Sequence, residues 1–405
     1  MKHIAHLSSA SVLLGAALGL LCGCGGGGAA AAGTPPVAAQ PGSAPAAASS
    51  SADGTLSSSR RGSPFSEYAL PASQEGPISV AIGPNRNAWV LSPHAIDRVT
   101  SLGAVTAFAA PAGVEFGGAI ARGRDGALWF LGVEPSTQYG NAPANAIFRL
   151  TTAGALTSYV LPAGAQTSSN ALVADIAAGP DGKLWYVVQG YYACGAVGSI
   201  TTGGSPGPVV PLCEPTAIAP ASVHIAPGSS SSVYVTVYDR FAPGGYSAVY
   251  RLSLADTILK QFVLPGASNP EGIAMGPGRE LWVTLDGSNA IARIKPSGAI
   301  VTYALPTPNA LPSQFNLALA QASAITRGAD GALWFLESQA NKIGRISLSG
   351  HITEYAIPTP GSRPSGIAAC TQPCGGDCDV WFTESRSNKV AKLIVAGRPF
   401  SYAHW

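Results

Sequence analysis

The sequence predicts an all-β fold, a seven-bladed β-propeller of four-stranded antiparallel blades, and three observations predict it. One aromatic position recurs as Trp89, Trp129, Trp185, Tyr234, Trp282, Trp334 and Trp381, at successive spacings of 40, 56, 49, 48, 52 and 47 residues, close to the roughly 40–50 residues of a propeller blade. Each copy breaks into short apolar runs divided by Gly, Asp, Asn, Ser and Pro turns, the punctuation of tight antiparallel connections. No stretch carries the helical apolar period that stacked helical repeats would need. A sheet of four short strands cannot cover both its own faces, so the copies must stack, and closing them into a ring leaves only short, protected edges.

Taken in order, the chain opens with Lys2 and an apolar span over residues 4–21, the charged and hydrophobic regions of a secretory signal. The tetrad Leu21-Cys22-Gly23-Cys24 resembles a bacterial lipobox, which implies a signal over residues 1–23 and a lipidated Cys24 at the mature N-terminus. Residues 24–62 are rich in Gly, Ala, Ser and Pro, cannot build a core, and read as a flexible tether to the propeller at 63–405. The expected location is the cell envelope, by lipid anchor, on the outer membrane if two membranes are present.

Residues 65–71, FSEYALP, match the later phrase TEYAIP, which occupies a fourth-strand place. They are expected to complete the last blade and close the ring, with residues 400–404 (FSYAH) as the alternative donor. First strands are marked by an aliphatic residue nine before the aromatic: Val80, Ile120, Ile176, Ile225, Ile273 and Ile325. In the seventh copy Ile367 lies fourteen before Trp381, so five extra residues fall within 370–378. Third strands are expected at 146–150, 248–252, 290–294, 342–346 and 389–393, and fourth strands at 155–161, 258–264, 299–305 and 351–357. The third copy must draw its fourth strand from the Gly/Pro-rich stretch 203–212.

With 46% hydrophobic residues the chain can bury one large core. Only 11% of residues are charged, the net charge is +2, and no basic run is present, which argues against nucleic acid and against electrostatic attachment to a membrane. A monomer is expected. Export makes disulfides the default state of paired cysteines: Cys194 with Cys213, and one bridge within Cys370, Cys374 and Cys378.

The phrases ALWFLESQANKIGRISLSGHITEYAIPTPGSRPSGIA and DVWFTESRSNKVAKL resemble the repeat of the streptogramin (virginiamycin B) lyases, and the resemblance runs from about residue 65 to 393. It implies a seven-bladed propeller that opens a cyclic depsipeptide at its ester bond by elimination, with Mg2+ and a histidine base. In the family that base comes from a Pro-His-Gly-Ile phrase opening a first strand, with a Glu two residues earlier at the metal site. The chemistry requires both parts, a base for the proton beside a carbonyl and a cation for the developing enolate.

Here the matching phrases are Pro270-Glu271-Gly272-Ile273 and Pro364-Ser365-Gly366-Ile367, so the histidine slot holds Glu271 and Ser365. The other slots hold Ile78, Gly118, Ala174, Val223 and Ser323, and the metal-site Glu is replaced by Asn269 and Arg363. Histidines beyond the signal are His94, His224, His351 and His404; His224 adjoins a slot, but strand alternation is expected to turn it to the opposite face. Glu271, at the channel mouth, and Asp286, Glu337 and Glu384, at second-strand ends, are the candidate acidic groups. They read either as solvated or Lys/Arg-paired strand-end carboxylates, or as a raised-pKa base and Mg2+ ligands. Asn341-Lys342 and Asn388-Lys389 are turn chemistry, and no serine elbow, dinucleotide fingerprint or phosphate loop occurs.

The sequence therefore points to a propeller that binds an unknown small molecule or envelope protein at its channel face, without catalysis or cofactor. The alternative is a Mg2+-dependent streptogramin B lyase-type, or other metal-assisted, enzyme built on those carboxylates. Glu271 would serve as a base near neutral pH only if its pKa rose by about two units, so turnover of streptogramin B is not expected from the sequence.

Overall fold

The structure, a computed structural model, describes residues 63–71, 76–136, 142–162, 165, 173–189, 195–212, 221–239, 245–312, 324–370 and 379–395. They form seven four-stranded antiparallel sheets. Blades 1 to 6 each use four strands consecutive in the chain, and blade 7 takes three from 364–393 and its fourth from Phe65–Ala69. That strand pairs with Lys389–Leu393, from Phe65 opposite Leu393 to Ala69 opposite Lys389, as the repeat phrase anticipates. The first strand of each blade packs against the first strands of its two neighbours, blade 7 against blade 1 included, so the ring is closed. The signal, Cys24, the tether, Cys194, Cys213, Cys374, Cys378, Ser323 and the alternative strand 400–404 lie outside the described residues. Cys370 directly follows Pro364–Ala369, the first strand of blade 7.

Each repeated residue has a physical task at the outer part of its blade. The indole of Trp129, Trp185 and Trp334 donates through Nε1 to Asp125, Asp181 and Asp330 at 3.1 Å, so the aspartate of the turn is tied to the core residue that follows it. A fourth-strand ring stacks on the tryptophan in five blades: Phe108 on Trp89, Tyr159 on Trp129, Tyr303 on Trp282, Tyr355 on Trp334 and Tyr68 on Trp381, at 5.5–6.0 Å. A third-strand cation, Arg98, Arg149, Arg293, Arg345 or Lys392, lies 5.3–5.9 Å from the centre of the same tryptophan ring. Burying one such indole removes enough apolar surface for about 4–6 kcal/mol. The third and fourth blades lack the fourth-strand partner in this stacked arrangement among the described residues. In the fourth the aromatic itself is the half-buried Tyr234, while the third uses Pro206–Pro211 as its outer strand.

Neighbouring blades are also latched by side chains. Thr307, in the Pro-Thr-Pro loop that leaves blade 5, donates through its amide and its hydroxyl to Glu354 of blade 6 at 3.0 and 2.6 Å, and Lys342 joins both at 2.7 and 2.6 Å. The loop leaving blade 6 repeats this arrangement: Thr359 donates to Glu67 of the closing strand at 3.1 and 2.8 Å, and Lys389 joins at 3.0 and 2.8 Å. Asn289 and Asn341, left-handed at φ 48 and 55, donate through their amides to the Thr307 and Thr359 carbonyls at 2.9 Å. These are turn asparagines, as their place in the repeat suggests.

Candidate functional site

The inner strands of most blades are not regular. In blade 4 the register passes from Ser222 opposite Val237 to Ile225 opposite Val235, so Val223 and His224 together face Thr236. Blade 5 does the same, from Pro270 opposite Leu285 to Ile273 opposite Val283, and blade 7 from Pro364 opposite Glu384 to Ile367 opposite Phe382. Such a bulge leaves one residue outside the ladder, and a second-strand threonine satisfies it. The amides of His224, Gly272 and Gly366 donate to the hydroxyls of Thr236, Thr284 and Thr383 at 3.1, 2.8 and 2.8 Å.

The bulge overturns the expectation that His224 faces away from the slots. Alternation holds only along an unbroken pleat, and the extra residue resets it. His224 is buried, its Nδ1 lies 3.1 Å from Asp175 Oδ2 on the first strand of blade 3, and its Nε2 points at Glu271 Oε2 on the first strand of blade 5, 3.7 Å away. Asp175 is fixed in turn by the amides of Ile225 at 3.0 Å and Ile176 at 2.8 Å. Three consecutive blades thus contribute an Asp-His-Glu line. Its central member was legible as a residue next to a slot, but its direction was not.

Glu271 is buried as well, 8% exposed, and desolvation pushes its carboxyl well above the usual carboxylate range, with the nearby Asp286 charge adding to the shift. The equivalent positions in blade 7 are Ser365 and Ser385: the Ser385 hydroxyl donates to Ser365 Oγ at 2.5 Å, and Ser365 donates on to the Pro77 or Ile78 carbonyl ahead of the first strand of blade 1. One slot therefore holds an interblade knot of hydroxyls, and the other a pair of carboxylates beside a histidine. The structure brings Asp286 to Glu271 and leaves the other two acidic candidates in their own blades.

Those two, Glu337 and Glu384, are neither solvated nor ion-paired, contrary to the simpler of the two expectations. Both are fully buried; neither Glu337 oxygen has a hydrogen-bond partner, and Glu384 has only the Thr359 and Ser362 hydroxyls nearby, short of full hydrogen bonds. The lysines opposite them in register are instead held by Glu354 and Glu67. Burial, with Glu354 adding and Lys342 opposing, lifts Glu337 to about 7. Burial, with Glu67 adding and Lys389, Thr359 and Ser362 opposing, lifts Glu384 to about 8.

No three His, Cys, Asp or Glu side chains among the described residues are arranged to hold a metal ion. Asn269 and Arg363, at the family's metal-site position, sit on left-handed backbone at φ 47 and 55 and carry no carboxylate. The described residues do not fit the Mg2+ that the resemblance implies, and the chemistry derived for the site uses none.

Comparison with known proteins places this geometry. The family model of the virginiamycin B lyases matches residues 48–240 and 221–403. A virginiamycin B lyase of Nocardia farcinica is 39% identical over 98 residues, a match covering 24% of this chain and 31% of that protein, under a third of its length. The crystal structure of a virginiamycin B lyase from Staphylococcus aureus aligns with a TM-score of 0.64 at 27% identity, over 82% of this chain and 99% of that one. A catalytically inactive histidine-to-alanine variant of the Staphylococcus aureus enzyme, with quinupristin, aligns with a TM-score of 0.63 at 27% identity, over the same shares of the two chains. The repeat, the ring and the matched span together make this chain a member of the virginiamycin B lyase family.

Proposed function

We propose that the chain is a lyase-type acid–base enzyme that opens a cyclic ester by elimination, with Glu271 as the group that takes the substrate proton. The observation that carries this reading is the line of Asp175, His224 and Glu271, with 3.1 and 3.7 Å between successive members. A protonated Glu271 would be useless as a base, but the His224 Nε2 lone pair can accept its proton, and the Asp175 carboxylate at Nδ1 stabilises the imidazolium that results. The freed Glu271 carboxylate then removes a proton from the carbon next to the carbonyl. The C–H electrons form the new double bond, and the ester C–O bond breaks to release a carboxylate. A raised carboxyl pKa suits proton transfer near neutral pH, the condition that the sequence alone gave no reason to expect.

A second reading, binding of a small molecule or envelope protein at the channel face without turnover, is supported by the burial of Nε2 and by the lack of histidine in the slots themselves. Quinupristin separates the two. Elimination leaves its mass unchanged while shifting its chromatographic retention, whereas hydrolysis adds one water. Turnover that survives in wild type and falls about 10²-fold or more in His224→Gln supports the lyase reading; binding with no new product supports the second. Lipidation at Cys24 is part of either proposal, and mass spectrometry of the mature N-terminus tests it.

A further inference from the structure

Buried carboxyls recur outside the site, and two of them share one place in the blade. Along the second strands, the residue three after the aromatic is Ser92, Gly132, Val188, Val237, Leu285, Glu337 and Glu384 in blades 1 to 7. Only the last two are acidic. Glu337 reaches across its own sheet: a Cβ placed on Gly344 of the third strand would stand 2.8 Å from Glu337 Oε1. Blade 1 puts an acid on the same strand pair from the other side. Its Asp97, opposite Val90, holds the place that Gly344, opposite Phe335, holds in blade 6, and Ser92 takes the place of Glu337. Asp97 is fully buried, and neither of its oxygens has a partner.

These three blades adjoin in the closed ring, and blade 7, the middle one, is the blade completed by the N-terminal strand. Six carboxyl oxygens are thus buried in the closing blade and its two neighbours, none in a full hydrogen bond, and Lys342, Lys389, Thr359 and Ser362 lie near enough only to oppose the shifts of Glu337 and Glu384 in part. A buried carboxylate without partners is several kcal/mol too costly to persist, so such a group keeps its proton or the structure around it opens. We propose that Asp97, Glu337 and Glu384 form a protonation-set latch on the ring closure, which holds the strand Phe65–Ala69 firmly when all three are neutral and loosens it when they ionise.

Each carboxyl faces its own set of charged and polar groups. Glu384 meets Glu67 from the closing strand and Lys389 from the third strand, with Thr359 and Ser362 from the incoming loop. Glu337 meets Glu354 and Lys342, and Asp97 is raised to about 7 by burial alone. Ionising Glu384 places a second negative charge beside Glu67, the residue through which the closing strand holds both Thr359 and Lys389. Glu337 ionises beside Glu354 in the equivalent latch between blades 5 and 6. Carboxyls that bind protons more tightly when folded stabilise the fold fully below the ordinary carboxylate range, near 4.5. That contribution drains away as pH rises toward about 7 for Asp97 and Glu337 and about 8 for Glu384.

Hydrogen exchange of the full chain at pH 6 and pH 9, corrected for intrinsic amide rates, reads the latch directly. Protection over residues 65–69 is expected to fall at least tenfold relative to residues 184–188 of blade 3; equal change in the two segments overturns the proposal. Thermal unfolding of the D97N/E337Q/E384Q variant gives an independent arm. Its melting temperature should fall less than half as far as the wild type's between pH 5.5 and 8.5, and an equal fall refutes the assignment. If the triple variant does not fold, Glu384→Gln alone is expected to retain protection of residues 65–69 at pH 9, and loss as large as in wild type counts against the latch.

Discussion

Blades 3 to 5 and blades 6, 7 and 1 use the same repeat for opposite ends. In the first sector the acidic and imidazole groups sit on the inner strands, Asp175, His224 and Glu271, and touch one another across blade boundaries. In the second sector the buried acids sit between second and third strands, isolated from one another, while the inner strand of blade 7 carries Ser365, whose hydroxyl bonds to a backbone carbonyl. Blade regularity follows this division only in part, because blade 5 carries Glu271 and still keeps the full stack of Trp282, Tyr303 and Arg293. Blades 6 and 7 have the full stack of tryptophan, fourth-strand tyrosine and third-strand cation, whereas blade 4 replaces its tryptophan with a half-buried tyrosine. The lesson is that a repeat can be relaxed where side chains are needed for chemistry and kept strict where the ring must be closed.

The sharpest way to break the comparison is to change the same slot in both sectors. Glu271→Gln is expected to lower ring opening of quinupristin by about 10²–10⁴-fold with no loss of thermal stability, because it removes a buried acid. Ser365→Ala in blade 7 should leave turnover intact and cost about 1–3 kcal/mol in denaturant unfolding, since the Ser385 and Thr383 hydroxyls lose a buried partner. Turnover that fails equally in both would erase the division between sectors.

Next in size is the core residue itself. Trp334→Ala should cost about 3–5 kcal/mol, because a fully buried ring, its tie to Asp330 and its stack on Tyr355 vanish together. Tyr234→Ala, at the half-buried equivalent in blade 4, should cost clearly less, and similar losses at the two positions would deny that blade 4 is relaxed.

A smaller effect is expected at Gly344. An added Cβ would lie 2.2 Å from Phe335 Cζ and 2.8 Å from Glu337 Oε1, so Gly344→Ala should destabilise by about 1–3 kcal/mol through overpacking. Blade 5 already has Ala292 at this position, opposite Val283, where no acid and no aromatic compete for the space. A neutral Gly344→Ala would show that Glu337 can swing away and that its burial is not enforced.

Most of the architecture is legible in the sequence because its signals are local. The Asp-Gly turn, the aromatic four residues later and the Glu-Tyr-Ala phrase each specify a contact within one blade, and even the ring closure is announced by the likeness of residues 65–71 to 353–358. The site is less legible for a definite reason. Whether His224 faces Glu271 depends on a bulge opposite Thr236, and alternation reasoning assumes that no bulge exists. A signal was present in Thr236, Thr284 and Thr383, which share one place in the repeat and each accept an amide from the bulged strand. The burial of Glu337 and Glu384 was hidden in another way. A strand-end Glu next to an Asn-Lys turn looks ion-paired, but the lysine is taken by a glutamate from the fourth strand, and only the strand register reveals that competition. Asp97 escaped notice because its acid comes from the third strand rather than the second.

The closing strand also sets a clock. Glu67 and Lys389 bond across 322 residues of chain, and a ribosome adding roughly 5–20 residues per second delivers the second partner tens of seconds after the first. Throughout that interval Phe65–Ala69 has no blade to join, while six complete sheets, each made of consecutive strands, can already have formed. The last blade is therefore assembled by a strand that has waited longest, and the ring cannot close until the last three strands have emerged, however fast the other sheets fold.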